Sequence, residues 1–194
     1  MTTTELLLEP LKVKCTAADC DAQLHCFRAT RKMKKENTNG RCRACGESLV
    51  DWPRVHQRDI RDAEHTLTQL KREKIRHHFW HVAVDEKALQ YAARRTSADL
   101  RAITEKIIRR AIGPAEPFRD GAQTKREGSG NPVFYAQHAT ASCCRACAEE
   151  WHGIDRHRPL TDAEITYLSD LAMIYLLEKT TPLDYRGAAH DDEG

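Results

Sequence analysis

Cysteine is the residue type with the most evident chemistry in this sequence, and its eight copies form two groups separated by a long cysteine-free stretch. The first group comprises Cys15, Cys20, Cys26, Cys42 and Cys45, and the second comprises Cys143, Cys144 and Cys147. Clustered thiols in a chain of a reducing compartment are typical metal ligands, whereas disulfide pairing is typical of exported chains. The spacing therefore predicts two separate metal sites.

The first site is predicted to hold zinc between two pairs of thiolates. Its predicted ligands, in a C-x4-C and a C-x2-C arrangement, are Cys15, Cys20, Cys42 and Cys45. Two close pairs on facing turns can complete the tetrahedron that zinc prefers, and four protein ligands leave no place for a substrate. This spacing indicates a structural zinc ribbon. His25 could replace one thiolate, Cys26 is interpreted as a buried strand residue, and free thiols in a reduced core are the alternative.

The second site is predicted where a helix begins that carries Cys143, Cys144 and Cys147 on one face. His138 precedes this helix at the end of a predicted strand and completes the set. If Cys143 is a ligand, the metal is closed and structural. If it is not, His138, Cys144 and Cys147 leave one place open for a water that zinc can activate towards hydrolysis. An iron–sulfur cluster or redox-active thiols are further alternatives.

An open metal would need acid and base groups around it. The candidates that the sequence offers are Asp120, Glu149, Glu150 and His152. Asp120 belongs to a long loop that could cover a site, and the other three follow the cysteines on the same predicted helix. The helical spacing puts His152 on the face opposite the thiols, which weakens its candidacy.

A third group of possible ligands consists of the histidines His77, His78 and His81. The spacing of His77 and His81 places both on one face of a helix, from which they could supply a distant ligand. The intervening Phe79 and Trp80 favour the alternative that these histidines pack at a helix end.

Charge is distributed unevenly, although the formal net charge is only +2. Residues 1–113 hold 23 basic and 15 acidic side chains, whereas residues 114–194 hold 8 and 14. Seven of the cations lie in the predicted ribbon: Arg28, Arg31, Lys32, Lys34, Lys35, Arg41 and Arg43. Such a cluster can neutralise several phosphates, so nucleic acid is the predicted partner, alone or within a larger protein assembly. A solvated charged surface is the alternative.

The composition indicates one or two small soluble domains. The chain has 194 residues, of which 40% are hydrophobic and 31% are charged. It contains no apolar run of the roughly 18 residues that a membrane span needs, and its first residues lack the basic start and apolar core of a signal peptide. We therefore expect a cytoplasmic protein without a membrane partner.

The pattern of apolar residues predicts a mainly α-helical fold with a small N-terminal β zinc ribbon. Strands are predicted at Leu11–Lys14, Gln23–Ala29 and Pro132–Gln137, because short apolar pieces there are bounded by turn residues. Helices are predicted at Asp59–His81, Asp85–Arg95, Ser97–Gly113 and Ser142–Trp151, and a last helix follows the capping box of Thr161 and Glu164.

These elements suggest a zinc-ribbon module at residues 1–54, a helical metal-binding domain at 55–182 and a flexible acidic tail at 183–194. Residues 114–131, rich in Pro, Gly and polar residues, form a long loop between two elements of the helical domain. Loops of this length are usually functional or disordered.

Several motifs of the second half resemble an uncharacterised bacterial family known as a domain of unknown function. They are DGAQT at 120–124, NPVFYAQHATASCCRAC at 131–147, WHGI at 151–154 and LTDAEI at 160–165, within a stretch from Lys71 to Glu178. The resemblance implies that residues 15–53 are an appended zinc ribbon, and it implies no particular activity. Asp155 stands where the family commonly has proline, a difference expected to affect only the following turn.

Overall fold

The structure is a computed structural model that describes residues 13–180. It is mainly helical. Two short helices lie in the first part, α1 (Arg31–Lys35) and α2 (Trp52–Val55), and a 3-10 turn at Ile60–Asp62 leads into the larger helices. These are α3 (Ala63–Leu70), α4 (Lys74–His81), α5 (Glu86–Ala93), α6 (Ser97–Ile112), α7 (Pro132–Ala139), α8 (Arg145–His152) and α9 (Asp162–Thr180).

The long helix α9 is central to the packing. It lies against α6 and α7, and α7 also packs against α4. Apolar residues recur around much of α9, so that Leu168, Leu171 and Tyr175 are all fully buried. The helix begins with the predicted capping box, because the Thr161 hydroxyl accepts from the Glu164 amide at 3.2 Å and the Glu164 carboxylate accepts from the Thr161 amide at 2.9 Å.

The prediction of a strand at Pro132–Gln137 is wrong, because this segment forms α7. Seven of the eight residues of α7 are buried. Because the helix is covered on nearly all sides, its sequence does not alternate between apolar and polar residues with a helical period. Such a run does not distinguish a buried strand from a buried helix. The decisive local signal is Asn131, whose side chain caps the helix by accepting from the Val133 amide at 3.0 Å, with Pro132 at the first helical position.

The single helix predicted for Asp59–His81 is divided into the 3-10 turn, α3 and α4. The division at residues 71–73 is where the N-terminal segment pairs with the helical part. His25 N–H donates to the Arg72 carbonyl at 2.8 Å, and the His25 carbonyl accepts from Lys74 N–H at 2.9 Å. The groups freed by ending α3 are therefore bonded to the segment that carries the first cysteines.

The prediction of an N-terminal β ribbon is also wrong for the part of the chain that the structure describes. Between residues 13 and 180 the only β pairing consists of two isolated bridges, Asp19 with Leu24 and His25 with Glu73. Leu11 and Lys12 of the predicted first strand lie outside the described residues, as does the predicted tail. Turns take the place of the strands because each cysteine-containing segment folds back within a few residues of itself.

The N-terminal segment packs on the helical part through aromatic rings. Phe27 is fully buried and makes edge contacts with Trp52 and Trp151, with ring centroids 5.7 Å apart in both pairs. Trp52 and Trp151 lie 5.1 Å apart. This contact fixes α8, which carries Trp151, beside the segment that contains the first cysteines.

Other predicted helices are present with small shifts at their ends. Thr96 rather than Ser97 caps α6, in a capping box with Asp99, and Gly113 follows its last residue. The helix predicted at Ser142–Trp151 begins three residues later as α8 and ends at Gly153, whose left-handed φ of +61° suits glycine. Within residues 13–180, no helix combines the length and the apolar character needed to cross a bilayer.

Candidate metal centres

Four side chains of the first part converge on one point, and we call them the first cluster: Cys20, His25, Cys42 and Cys45. Their ligand atoms all lie within 4.8 Å of one another. Cys20 Sγ and Cys42 Sγ are 3.8 Å apart, and Cys45 Sγ is 3.5 Å from His25 Nδ1. A zinc tetrahedron with ordinary bond lengths separates two sulfurs by about 3.8 Å and a sulfur from a nitrogen by about 3.6 Å. The residues of the first cluster therefore fit a zinc ion.

Two tight turns present these side chains. Gln23 adopts a left-handed conformation, so the chain reverses between Cys20 and His25. Gly46 N–H donates to the Cys42 carbonyl at 2.8 Å, and the φ of +81° at Gly46 is one that glycine adopts without strain. Burial opposes ionisation of Cys42, but bonds from backbone amides, including those of Ala44 and Cys45, lower the pKa of this thiol to about 6. A lowered pKa favours the thiolate that metals bind.

The first cluster differs from the predicted set in one member, since His25 occupies the place expected for Cys15. Cys15 lies elsewhere, half-buried, with its Sγ atom 3.6 Å from Nη2 of Arg126 in the long loop. Cys26 is fully buried as expected, and its thiol donates to the Cys15 carbonyl at 3.5 Å.

The three remaining thiols form the second cluster, which comprises Cys143, Cys144 and Cys147. Their sulfurs lie within 4.8 Å of one another and all three residues are buried. Cys144 is the N-cap of α8, and its Sγ accepts from the Cys147 amide at 3.4 Å. The turn before α8 therefore brings the sulfurs together, and the helix N-terminus favours negative charge there.

A buried arginine, Arg76 of α4, contacts the second cluster directly. Its Nη2 atom is 3.0 Å from Cys147 Sγ, and its Nη1 atom is 3.7 Å from Cys143 Sγ. The same guanidinium donates from Nε to Glu73 at 3.0 Å, and the Glu73 carboxylate also accepts from the Trp151 indole at 2.8 Å. A buried cation of this kind needs anionic partners, and the Glu73 carboxylate and the Cys147 sulfur are placed to supply them.

Ionisation is shared unequally among the three thiols. Hydrogen bonds from Cys143 and Cys144, together with the positive charges of Arg76 and Arg28, lower the pKa of Cys147 well below its ordinary value. Hydrogen bonds with Cys144 and Cys147, together with burial, raise the pKa of Cys143. The nearby guanidinium groups and the N-terminus of α8 thus favour negative charge on this group of sulfurs.

His138, predicted as a ligand of the second site, lies outside the group of three thiols. Its ring stacks on Phe79 with centroids 4.5 Å apart, and burial lowers its pKa to about 4. Only 4% of the residue is exposed, yet neither ring nitrogen has a hydrogen-bond partner. The carbonyl of His138 accepts from Arg76 at 2.6 Å, so its backbone is tied to the cluster.

The four acid and base candidates lie at different depths. Asp120 is exposed and accepts from the Arg145 amide at 2.9 Å, at the start of α8. Glu150 is half-buried and accepts from the Ala29 amide at 3.1 Å, and burial raises its pKa to about 8. Glu149 is nearer the surface, beside Lys34. His152 is fully buried and bonded to the Thr140 carbonyl at 2.9 Å.

The histidines at the end of α4 do not join either cluster. His77 and His81 stack on each other with centroids 3.9 Å apart, and His81 Nδ1 lies 2.7 Å from the His77 carbonyl. His78 contacts Glu127 of the long loop. These contacts agree with the alternative that the histidines pack at a helix end.

Six of the seven predicted nucleic-acid contacts are exposed, on and near α1: Arg31, Lys32, Lys34, Lys35, Arg41 and Arg43. Arg28 is instead half-buried and interacts with Cys147 and Cys144 of the second cluster. Lys32 lies 3.9 Å from Glu36, and Lys34 lies 3.9 Å from Glu149.

Sequence reasoning missed Arg76 and Glu73 as parts of the second cluster. A signal was present, because Arg76 lies beside the apolar Ile75 and Phe79 of α4 and Glu73 stands three residues before it, so the two charges can pair where the helix is buried. Arg28 stays a predicted nucleic-acid contact, but it follows the buried Cys26 and Phe27 and is less exposed than the six other cations.

The fold and the two clusters together define a helical protein with two thiol-rich sites that could hold metal ions. A family model described as a domain of unknown function, DUF4186, matches residues 64–177. The chain therefore belongs to this family. The match contains the second cluster and begins after the first one. No solved structure matches the chain at a significant level.

Proposed function

We propose that this protein is a zinc protein with two structural metal ions and that it binds nucleic acid through the cations around the first cluster. The observation that carries the proposal is the grouping of exposed cations beside a complete set of four zinc ligands. A cytoplasmic location belongs to the same proposal, because a reducing compartment keeps thiols available to metals.

The first cluster supports a closed zinc site. Three thiols and one imidazole lie within 4.8 Å of one another, and four protein ligands complete the coordination of structural zinc. The turns that carry them bury little apolar surface of their own, so metal binding would supply much of their folding free energy, on the order of 10 kcal/mol.

The second cluster also supports a single ion rather than an iron–sulfur cluster. Its three sulfurs lie within 4.8 Å of one another. In a [4Fe–4S] cluster each cysteine ligates its own iron, and in a [2Fe–2S] cluster no more than two cysteines share one iron, so three sulfurs this close together favour one shared ion. The presence of Cys143 beside Cys144 and Cys147 favours the closed form. Metal analysis of the purified protein would test this: two zinc ions and no iron are expected.

The cations that favour nucleic acid border a groove of about 470 Å³ beside the first cluster, lined by residues that include Lys32, Arg41 and Arg43. Arg31, Lys35, Arg41 and Arg43 form no ion pair with any other residue between 13 and 180. Each unpaired cation can displace a counterion from a phosphate. With four such contacts, the affinity for DNA would fall about 100-fold when the salt concentration is raised from 50 to 200 mM.

The test is binding of the zinc-loaded protein to a mixed-sequence DNA duplex and to its RNA equivalent as salt is varied. Reversing Arg31 and Lys35 to glutamate should weaken binding at least tenfold at low salt and flatten the salt dependence. The matched control reverses Lys87 of α5 and Arg94, which directly follows this helix; both cations are exposed, and their reversal should change binding far less. Equal losses in both double variants would contradict a specific surface.

A zinc-dependent hydrolase acting on nucleic acid or nucleotide is the second candidate, and Glu150 is the observation in its favour. Its carboxyl lines the same cavity as Cys147, and a pKa of about 8 suits a group that exchanges protons near neutral pH. X-ray absorption at the zinc edge distinguishes the two functions. An oxygen ligand at the second site would favour hydrolysis, and a shell of only sulfur or of sulfur and nitrogen would favour the structural proposal.

A further inference from the structure

Cys15 lies beside the second cluster, although Cys20, only five residues later, belongs to the first. Its side chain lines a cavity of about 10 Å³ together with Cys147, Arg28, Arg76 and other residues. A cavity of this size holds one water molecule or one ion. We propose that Cys15 is the fourth ligand of the metal held by the second cluster. This inference rests on the second metal centre proposed above.

The count of ligands supports this assignment. The first cluster has four donors without Cys15, whereas the second has three and needs one more for a closed zinc site. A thiol that reaches from the N-terminal segment to α8 completes the second set. The assignment therefore accounts for a cysteine that the first cluster does not use.

Charge around the cavity also favours a fourth thiolate. Four thiolates around Zn²⁺ carry a net charge of −2, which is costly to bury without nearby cations. Arg28 and Arg76 both interact electrostatically with Cys15 and with Cys147. The two Nη atoms of Arg76 face sulfurs of the cluster while its Nε atom faces Glu73. N–H groups that donate hydrogen bonds to metal-bound sulfur commonly stabilise such sites.

The long loop holds Cys15 and the second cluster at once. Arg126 donates to the Val13 carbonyl at 2.6 Å, and its other Nη atom lies 3.6 Å from Cys15 Sγ. Two residues earlier, the Thr124 hydroxyl donates to the Cys143 carbonyl at 2.9 Å. One loop thus positions the N-terminal thiol and the turn before α8 relative to each other.

His138 is the competing fourth ligand, because both of its buried ring nitrogens lack partners. Its ring stacks on Phe79, and it is not among the residues that line the cavity shared by Cys15 and Cys147. Cys15 Sγ is outside the 4.8 Å group of the three sulfurs, so ligation requires the N-terminal segment to move towards the cavity that Cys15 and Cys147 already share.

The experiment measures zinc content, resistance to a competing chelator and zinc-edge absorption for the full-length protein and four variants. The variants are Cys15→Ser, Cys15→His, His138→Gln and the control Cys26→Ser, which replaces a buried thiol that donates to the Cys15 carbonyl. Cys15→Ser should weaken retention of one of the two zinc ions at least tenfold and lower the sulfur count. Cys15→His should restore retention with nitrogen in place of one sulfur, and Cys26→Ser should behave as wild type.

A Cys147→Ser variant separates failure of this inference from failure of the metal centre. If Cys147→Ser loses one zinc while Cys15→Ser retains both with an unchanged sulfur count, the centre stands and Cys15 is not its ligand. Loss of zinc in His138→Gln alone would likewise overturn the assignment. If the wild type holds one zinc and Cys147→Ser changes nothing, the second centre itself is refuted.

Alkylation of the unmodified protein provides a check that does not depend on a variant folding. Cys15 is half-buried, so without a metal it should react faster than the buried Cys143, Cys144 and Cys147. As a ligand it should instead be protected in the zinc-loaded protein and become reactive together with those three after chelation. Rapid modification of Cys15 in the loaded protein would contradict the assignment.

Discussion

The two clusters each bring three thiols together, but they do so in different surroundings. The first is assembled by turns near the surface, where Cys45 is exposed and backbone amides support Cys42. The second is assembled at the start of a helix inside the core, where the guanidinium of Arg76 supports Cys147. The comparison shows that a buried thiolate site needs side-chain cations, whereas a surface site can rely on backbone amides and solvent.

The largest expected difference is the effect of removing one thiol from each cluster. Cys147→Ser should lose one zinc and also disrupt the helical core, because it leaves Arg76 buried without its closest sulfur partner. Cys45→Ser should lose one zinc while most helical circular dichroism remains, since the turns of the first cluster carry little of the helix. Thermal unfolding of the two variants checks this, and equal losses of helix would remove the distinction.

A smaller effect is expected from replacing the cation that supports the second cluster. Arg76→Met should destabilise the protein by about 3–5 kcal/mol, because it leaves the buried Glu73 carboxylate and the thiolates uncompensated. Arg76→Lys keeps the charge but cannot reach Glu73, Cys147 and the His138 carbonyl together, so it should recover part of the loss. Denaturant unfolding measures both, and a Met variant as stable as the wild type would contradict the role of Arg76.

Acid should affect the core through its buried histidines. Burial lowers the pKa of His152 to about 4, below the value of about 6.5 in an unfolded chain. The stability this neutral imidazole confers is therefore complete above pH 6.5 and is lost as pH falls towards 4, by up to about 3 kcal/mol. His152→Gln should flatten the pH dependence of the unfolding free energy over that range, and an unchanged slope would show that His152 does not contribute.

The smallest expected effect concerns the contact between α1 and α8. Glu149 lies 3.9 Å from Lys34 and 3.8 Å from Arg156 at the surface. Glu149→Gln should change the unfolding free energy by less than about 0.5 kcal/mol, because exposed ion pairs contribute little. It should strengthen binding to a DNA duplex by up to about threefold at low salt by freeing Lys34. Glu178→Gln, at the end of α9, is the control and should leave binding unchanged.

Much of the helical architecture could be predicted from local signals. The capping box at Thr161, the helix at residues 86–93 and the end of α6 at Gly113 each depend on residues close in sequence, and such signals act within one or two turns. The sequence also placed Cys20, Cys42 and Cys45 in one group and Cys143, Cys144 and Cys147 in another, as the structure does, because close ligand spacing is a local property.

Three features could not be predicted because they depend on contacts across long sequence separations. The segment Pro132–Gln137 lacks the polar face that marks a surface helix because α7 packs against α4 and α9, which left the cap at Asn131 as its one local helix signal. The helix predicted at Asp59–His81 is interrupted where His25 bonds to Arg72 and Lys74. The N-terminal ribbon is replaced by turns that pack Phe27 against Trp151.

The sequence by itself determined which residues are available to bind metals and which segments favour helices, since side-chain chemistry and capping are encoded by neighbours along the chain. Only the tertiary structure decided how the thiols are divided between the two clusters. Cys15 and Cys20 are five positions apart, yet the turns between them direct Cys20 to the first cluster and leave Cys15 beside the second. Spacing constrains how far a ligand can reach, but packing determines the direction in which it points.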